Sequence, residues 1–453
     1  MSEPKRPSVG SDLPTPLRKG QVLMSAHIPD IDEANFEREV LGHPGPVAVD
    51  FYSTECAPCE ALAPKYDAMG EAYGADVKFV KVFRQGNRAL SDSLAVRSSP
   101  TVLFFSGGKE VGARLGGGIK RSELVAQLDT LIPAERVSAI HAAQRPVTTE
   151  CDVLILGAGP AGITAGIYAA QAKLRTIMVD VGLGGGNLAI THQVSNFPGF
   201  PEPQAGYMLA HRMLEHAKAA GVEPRFAAEV THTDLREHVV ELDGVETIRA
   251  KKLIIATGSS PRPISVTGEQ EYKGKGISYC ATCDAKYYEG KHVLVIGGGN
   301  SAVEESLFIA KFAARLTMVH QLDALTANQE SQDRLFAEPK IEVLFRHEPR
   351  AFISHDGKVV DAVLVEDLRT GAQREIGVDG AFVFAGMQPN LAGLGDELAV
   401  DAWGYVKTDS DMHTSIPGVF AAGDITSKRY RQMTTAVNDG TIAAMALSKD
   451  LAA

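Results

Sequence analysis

A unit of strand, glycine-rich turn, helix and strand occurs twice in this chain. The first copy reads CDVLILGAGPAGITAGIYAAQAKLRTIMVD from residue 151, and the second reads KHVLVIGGGNSAVEESLFIAKFAARLTMVH from residue 291. The spacing from Gly157 to Asp180 equals the spacing from Gly297 to His320, 23 positions in each copy. A βαβ unit with such a turn is typical of dinucleotide binding. The repeat therefore predicts an α/β chain with two Rossmann-like nucleotide sites.

The first turn, GAGPAG, has the residues that a bound dinucleotide needs. Gly157 permits the tight turn, Gly159 lets the backbone approach a pyrophosphate, and Gly162 lets the helix pack close to the strand. Asp180 ends the second strand, where an acid meets a ribose 2′-hydroxyl. We expect this turn to bind the first nucleotide.

The second turn, GGGNSA, places Gly297, Gly299 and Ala302 at the same three positions. Asn300 and Ser301 lie between them and begin the helix. Two dinucleotide folds in one chain usually hold a flavin and a nicotinamide that exchange a hydride. The alternative is a second fold that has lost its ligand and serves as a scaffold.

Length and composition limit the classes of protein. The 453 residues, of which 44% are hydrophobic, predict two or three domains with sizeable cores. A formal net charge of −11 argues against nucleic acid or an anionic membrane as the main partner. No apolar run is long enough to span a bilayer. The start, MSEPKRPSVGSDLPTP, lacks the apolar region of a secretory signal, and residues 1–21 are expected to be a disordered tail.

Cysteine is rare, and its spacing is informative. Cys56 and Cys59 form one C-x-x-C pair, Cys280 and Cys283 form another, and Cys151 begins a strand as an expected core residue. Structural zinc sites usually bring two such pairs within about 20 residues of each other. Here 221 positions separate Cys59 from Cys280. We therefore expect cytoplasmic thiol chemistry and no metal site.

The front third of the chain, residues 22–134, alternates strand and helix patterns. The predicted strands are 47–53, 77–83 and 101–105, and the predicted helices are 60–74, 89–96 and 120–132. Residues 135–149 are polar and alanine-rich with one proline, and we expect a linker there that could hold one helical turn.

The motifs YCATCD (279–284), GGGNSAVEE, GAGPAG and GVFAAGD occur in an order that closely resembles low-molecular-weight thioredoxin reductases. The resemblance implies an FAD-binding domain over 151–265 and 387–453, with an NAD(P)-binding domain, 266–386, inserted in it. It also implies a homodimer, a redox disulfide Cys280–Cys283, and Asp284 as the acid beside that disulfide. The FAD-binding residues that it implies are Gly157, Gly159, Pro160, Ala161, Asn196, Thr257, Gly258, Gly423, Asp424, Arg431, Gln432 and Met433.

The stretch VAVDFYSTECAPCEALAP is similar to the thioredoxin signature. The resemblance implies that Cys56 is the nucleophile and Cys59 the resolving thiol, with Asp50 as a buried acid and Pro100 as a cis-proline at the active site. A helix N-terminus stabilises a thiolate. Thioredoxins usually have an aromatic residue where Glu55 stands, and an acid beside the nucleophile disfavours the thiolate. A narrow set of clients is therefore expected.

The electron donor is the open question. Thioredoxin reductases of this type usually carry arginines after the histidine at the end of the second βαβ unit, and these bind the 2′-phosphate of NADPH. Here the stretch reads VHQLDALTANQ, with Gln321 after His320. Both residues are candidates for binding the nicotinamide nucleotide, but NADH, NADPH and another donor all remain possible.

Four functions follow from these patterns. The first is a disulfide reductase fused to its own thioredoxin, in which NAD(P)H reduces FAD, then Cys280–Cys283, then Cys56–Cys59, then client disulfides. The second is a flavoprotein reductase dedicated to a peroxidase. The third is a flavin dithiol oxidase or a ferredoxin-fed enzyme. The fourth is a flavin redox sensor, which two complete C-x-x-C pairs make the weaker alternative.

Overall fold

The chain forms two compact units that divide between Gln144 and Arg145, in a computed structural model that describes residues 28–191 and 193–452. The predicted tail, 1–21, lies outside the described residues. Both units are built from α/β layers, so the predicted fold class is confirmed. Across the described ranges, none of the helices combines the length and apolar character needed to cross a bilayer.

The first unit is a five-stranded mixed sheet. The order is Asp30–Ile31, Lys78–Phe83, Val47–Tyr52, Thr101–Ser106 and Lys109–Gly116; the first two pairings are parallel and the last two antiparallel. Its helical segments are Glu33–Phe36, Glu37–Leu41, Ala57–Tyr73, Arg84–Gly86, Arg88–Ser93, Arg121–Asp129 and Ala134–Ala143.

The central strand of this sheet is buried on both faces. Val47, Val49 and Phe51 pack into one apolar cluster, whereas Ala48 packs into the other, which includes Tyr66 of the helix Ala57–Tyr73. Successive side chains of a strand point to opposite faces, so an uninterrupted apolar run predicts a strand between two helical layers. This rigid strand leads directly into the first cysteine pair.

The second unit contains two Rossmann-like sheets, and the first is mixed because its strands Val239–Leu242 and Val230–Asp234 pair antiparallel. The first has the order Glu223–Phe226, Thr176–Asp180, Val147–Leu156, Glu246–Ile255, Val239–Leu242 and Val230–Asp234, and Val419–Ala421 also pairs with Glu246–Ile255. Its helical segments are Pro160–Gln171, Gly186–Ala189, Gly206–Ala220, Gly423–Ile425 and Met433–Ala452, and two short strands, Gln193–Val194 and Gln204–Ala205, pair beside them.

The second sheet is parallel throughout, with the order Ile277–Ser278, Gly380–Val383, His292–Ile296, Arg315–His320 and Ile341–Phe345. A three-stranded antiparallel sheet accompanies it: His347–Ile353, Ala362–Asp367 and Gln373–Gly377. The helical segments are Ala281–Asp284, Ala285–Tyr288, Asn300–Ile309 and Gln329–Ala337.

A two-stranded ribbon joins the two sheets. The chain leaves the first sheet through Ser259–Pro261 and returns through Met387–Pro389, and these strands pair antiparallel. The hydroxyl of Tyr405 donates to the carbonyl of Met387 at 3.0 Å. The chain thus crosses between the two sheets at 259–261 and 387–389, and the domain limits at 265 and 387 stay a prediction.

Two local features differ from the sequence expectations. Residues 135–149 were expected to be a linker that could hold one helical turn; residues 135–143 belong to the helix Ala134–Ala143, residues 147–149 begin the strand Val147–Leu156, and the two units divide between them. The strand Lys109–Gly116 was not predicted, although Val111, Ala113 and Leu115 stand at alternate positions; its residues are largely exposed and two of them are glycine.

Candidate active site

The second cysteine pair lies at the start of a short helix. Cys280 and Cys283 are disulfide-bonded, with their Cα atoms 5.4 Å apart. Cys280 is the N-cap of Ala281–Asp284, and its sulfur accepts a hydrogen bond from the backbone N–H of Cys283 at 3.2 Å. Cys283 is exposed and Asp284 half-buried. The sulfur atoms and a carboxyl group are therefore close together in sequence and partly accessible.

The buried carboxylate of Glu269 contacts Tyr279, the residue before this cysteine pair. Glu269 is 1% exposed. Its carboxylate accepts the hydroxyl of Tyr279 at 2.5 Å and the backbone N–H groups of Ile264 and Ser265 at 3.0 and 2.6 Å. Sequence reasoning missed Glu269, which belongs to none of the motifs that it used. The contacts fix the residue preceding Cys280.

The first cysteine pair has the same local geometry. Cys56 and Cys59 are disulfide-bonded with a Cα separation of 5.2 Å. Cys56 is the N-cap of the helix Ala57–Tyr73, and its sulfur accepts from the N–H of Cys59 at 3.3 Å. The sulfur of Cys56 also lies 3.6 Å from the carbonyl of Ser99, which precedes Pro100 in a cis peptide bond. The structure thus brings Pro100 next to the expected nucleophile.

Asp50 lies inside the first unit. Its side chain is 3% exposed, and among the described residues its Oδ1 atom has no hydrogen-bond partner. Burial raises its pKa to about 7, against an opposing effect of Lys81, whose Cα is its register partner on the next strand. A carboxyl group with this pKa can hold or release a proton near neutral pH.

The first glycine turn leaves room for a dinucleotide. Gly157 has φ +104°, and a Cβ there would lie 2.2 Å from the carbonyl oxygen of Ala256. A Cβ on Gly159 would have only the Cα of Gly186, at 3.9 Å, within reach, so the backbone at Gly159 is open to a ligand. Gly162 allows the helix Pro160–Gln171 to approach the turn. The geometry agrees with a pyrophosphate at the helix N-terminus.

Asp180 has a structural role besides the predicted one. Its two carboxylate oxygens accept the N–H groups of Ala158 and Gly182 at 2.7 and 2.8 Å. These bonds hold the glycine turn against the end of the strand Thr176–Asp180. Contact with a ribose stays a prediction.

Several of the remaining expected flavin residues contact partners that are distant in sequence. Thr257 exchanges hydrogen bonds with Asn390, and the amide of Asn196 donates to Gln432 at 3.2 Å. Pro160 and Ala161 begin the helix at the turn, and Gly258 follows Thr257 at φ +68°. Arg431 lies 3.6 Å from the ring centre of Tyr405, and Met433 begins the last helix.

An unsatisfied carboxyl oxygen supports flavin binding. A Cβ on Gly423 would lie 2.7 Å from the Cβ of Ala161, so this loop touches the first helix. Next to it, the Oδ1 atom of Asp424 is buried without a hydrogen bond among the described residues, with the ammonium of Lys428 3.9 Å away. Burial raises the pKa of Asp424. Buried acceptors are normally satisfied, and a hydroxyl of the flavin ribityl chain would supply the donor.

The second glycine turn is also intact. Gly297 has φ +136°, and a Cβ on Gly299 would meet only Thr326 Oγ1, at 3.7 Å. Ala302 is fully buried under the turn, and Ser301 is exposed.

Two residues that were expected to bind the second nucleotide, Asn300 and His320, contact other residues of the protein. The carbonyl oxygen of the Asn300 side chain accepts the N–H of Asn328 at 2.7 Å. The ring of His320 lies so close to Gly298 that a Cβ there would be 2.4 Å from it. Gln321 is exposed beside them.

Comparison with known sequences identifies the family. Residues 151–440 match the family described as pyridine nucleotide-disulphide oxidoreductase, and residues 27–130 match thioredoxin. A thioredoxin reductase of Bacillus subtilis is 40% identical over 296 residues, which cover 65% of this chain and 93% of that protein. A 34.2 kDa protein in the rubredoxin operon of Clostridium pasteurianum is 41% identical over 302 residues, covering 66% and 97%.

Solved structures give the same result. The thioredoxin reductase of Lactococcus lactis matches with a TM-score of 0.64 and 36% identity, covering 67% of this chain and 99% of that one. The T. acidophilum thioredoxin reductase matches with a TM-score of 0.63 and 32% identity, covering 67% and 99%. The chain belongs to the pyridine nucleotide-disulphide oxidoreductase family. Within it, the chain is a flavin-dependent disulfide oxidoreductase of the thioredoxin reductase family, with a thioredoxin domain fused in front.

Proposed function

We propose that the chain is a self-contained relay that carries electrons from a nicotinamide to client disulfides. The observation that carries the proposal is the presence of two C-x-x-C disulfides in one chain, each with its first sulfur capping a helix. Bound FAD supplies hydride acceptance from the nicotinamide and transfer of the electron pair to a disulfide.

The cysteines perform the later steps. The dithiol of Cys280 and Cys283 attacks the disulfide Cys56–Cys59; one disulfide forms as the other breaks, and two protons move with the electron pair. Asp284 acts as the acid beside the first pair, and Asp50 holds the proton for the second. Pro100 lines the surface that receives clients.

The binding residues follow the expectations above. The FAD site would use the turn residues Gly157, Gly159 and Gly162 with Asp180, together with the convergent set from Asn196 to Met433. The nicotinamide site would use Gly297, Gly299 and Ala302. We further propose that the domain 266–386 turns about the ribbon Ser259–Pro261 and Met387–Pro389, so that Cys280–Cys283 meets flavin and thioredoxin in alternation.

Partners and location are part of the same proposal. The chain would act as a homodimer in the cytoplasm, where thiols are kept reduced. Its substrates would be its own thioredoxin domain and disulfide-containing client proteins, of which a peroxidase is one candidate.

Anaerobic rapid mixing with NADH and with NADPH tests the donor class. The flavin absorbance should fall with at least one of them, and free thiols should then appear. If neither nucleotide bleaches the flavin while dithionite does, the donor is not a nicotinamide, and a ferredoxin-fed or oxidase function takes its place.

A further inference from the structure

The loop that follows the strand Arg315–His320 lies where a Rossmann fold reads the 2′ position of the adenosine ribose. It runs from Gln321 to Asn328 and contains no lysine or arginine. A 2′-phosphate is a dianion that is normally bound by cations, above all by arginine. The charge of this loop therefore affects whether it binds a nucleotide with a 2′-phosphate or one with a free 2′-hydroxyl.

His320 does not supply the missing charge. Its side chain is buried against Gly298, and burial lowers its pKa below the usual value, so the ring is neutral at pH 7. Its Nε2 atom lies 3.1 Å from the carbonyl oxygen of Ala324 and is satisfied within the loop.

Two arginines lie near the loop, and both are paired with carboxylates. Arg346 forms a two-pronged ion pair with Asp323 of the loop itself. Arg369 pairs with Asp367 at 2.8 Å. Exposed ion pairs are weak, so a phosphate could compete for Arg346. It would then face the carboxylate of Asp323, and like charges at that distance repel.

The other polar groups of the loop are largely committed to the protein. The N–H and hydroxyl of Thr326 both donate to the carbonyl of Gly298, at 2.8 and 3.3 Å. Asn328 is held by Asn300. Gln321 is exposed, and within the described ranges its side chain makes no hydrogen bond. Its amide is the right group to donate to, or accept from, a single neutral hydroxyl.

We propose that the loop from Gln321 to Asn328 selects a dinucleotide with a free 2′-hydroxyl, NADH, over one with a 2′-phosphate, and that Gln321 is the residue that binds at this position. The inference rests on the proposed function, since it assumes that a nicotinamide nucleotide binds here. It adds the identity of the donor and the residue responsible.

Calorimetric titration of the FAD-loaded chain with NAD⁺ and with NADP⁺ tests this without turnover. We expect NAD⁺ to bind at least tenfold more tightly. Gln321→Ala should weaken NAD⁺ binding about threefold to tenfold and leave NADP⁺ binding unchanged. The double substitution Gln321→Arg with Leu322→Arg should shift the ratio of the two affinities at least tenfold towards NADP⁺. Val359→Arg, at an exposed position outside the loop, is the matched control and should leave the ratio unchanged.

The outcomes separate the two proposals. Equal or tighter binding of NADP⁺ to the unchanged chain overturns this inference and leaves the nicotinamide relay standing. Unchanged NAD⁺ affinity in Gln321→Ala overturns the role of Gln321. If the folded, FAD-loaded chain binds neither nucleotide, the relay from a nicotinamide is itself wrong.

Discussion

Glu269 connects the segment after the ribbon strand Ser259–Pro261 to the disulfide Cys280–Cys283. One buried carboxylate satisfies two backbone donors at 264–265 and the hydroxyl of Tyr279, the residue before Cys280. The hydrogen bond also raises the pKa of Tyr279, with burial as the larger cause. We interpret Glu269 and Tyr279 as positioning residues for the disulfide.

Tyr279→Phe should slow the reduction of Cys56–Cys59 about tenfold and leave the reduction of the flavin by nicotinamide unchanged. Hydrogen bonds to charged groups contribute about 1.5–3 kcal/mol, and about 1.4 kcal/mol is tenfold in rate. Stopped-flow absorbance separates the two steps, and steady-state assays should show a lower kcat with an unchanged KM. Tyr207→Phe, at an exposed position, is the control. Equal slowing of both steps would indicate a general loss of structure instead.

Asp50 makes the stability of the first unit depend on pH. Its pKa is about 7 in the folded chain and near 3.8 in the unfolded chain. Between these values the native state keeps the proton that the unfolded state has lost. The free energy of unfolding therefore falls as pH rises from about 4 to 7 and stays low above that.

Asp50→Asn should remove the fall in the free energy of unfolding that occurs as pH rises. We expect the free energy of unfolding of the first unit to rise by up to about 4 kcal/mol at pH 8 and to change little at pH 4, since about 1.4 kcal/mol corresponds to one pKa unit. Urea-dependent proteolysis of the full chain, with mass spectrometry of fragments from residues 28–144, measures it. Asp92→Asn, at an exposed position, is the control. A gain of the same size at both pH values would contradict the account.

At the residue scale, the sequence predicted the positions of the cysteines and the glycine turns but not the side chains that hold them in place. Cysteines at C-x-x-C spacing and glycines at fixed offsets are tied to local backbone geometry, which sequence encodes directly. Glu269 has partners that are mostly backbone N–H groups, and any residue can supply those. Its contacts, like the bonds from Asp180 to Ala158 and Gly182, depend on how the loops pack.

At the scale of elements, the flavin turn depends on two helices in close contact. A Cβ on Gly440 of the helix Met433–Ala452 would lie 2.2 Å from the carbonyl oxygen of Ala161, in the helix Pro160–Gln171. Both helices carry residues expected to bind FAD. Their separation therefore sets the shape of the flavin site.

Gly440→Ala should push these helices apart and weaken flavin retention. Overpacking of this kind costs about 1–3 kcal/mol, which corresponds to roughly tenfold to a hundredfold in affinity if the strain falls on the bound form. Flavin released on dilution, followed by fluorescence, measures the change. Gly377→Ala, where nothing lies within 4 Å of the added Cβ, should retain FAD normally. Equal retention by both variants would exclude this role for the contact.

The predictable elements are those with a strong apolar period. The strand Val47–Tyr52 and the helix Ala57–Tyr73 were predicted to within a few residues because their buried faces leave a clear pattern. The helix Ala134–Ala143 has one buried side chain, Ile140, and so resembles a linker in sequence. The largely exposed strand Lys109–Gly116 has only a short apolar alternation, broken by two glycines, and it is stabilised by pairing with Thr101–Ser106.

At the scale of the whole molecule, the chain combines a reductase and its thioredoxin. A covalent connection raises the local concentration of one redox pair near the other. Fusion would therefore favour transfer to the attached thioredoxin over transfer to a free one. The family comparisons match the reductase and the thioredoxin as separate segments. Electron transfer from the reductase to the fused thioredoxin is therefore the central claim.

Anaerobic reductive titration with NADH, with thiols counted at the end point, tests this claim most directly. The account predicts three two-electron equivalents per chain, one for the flavin and one for each disulfide, with four new thiols. Cys56→Ser should lower the requirement to two equivalents. If the unchanged chain stops at two and Cys56–Cys59 stays oxidised, electrons do not pass from the reductase to its fused thioredoxin, and the relay is contradicted.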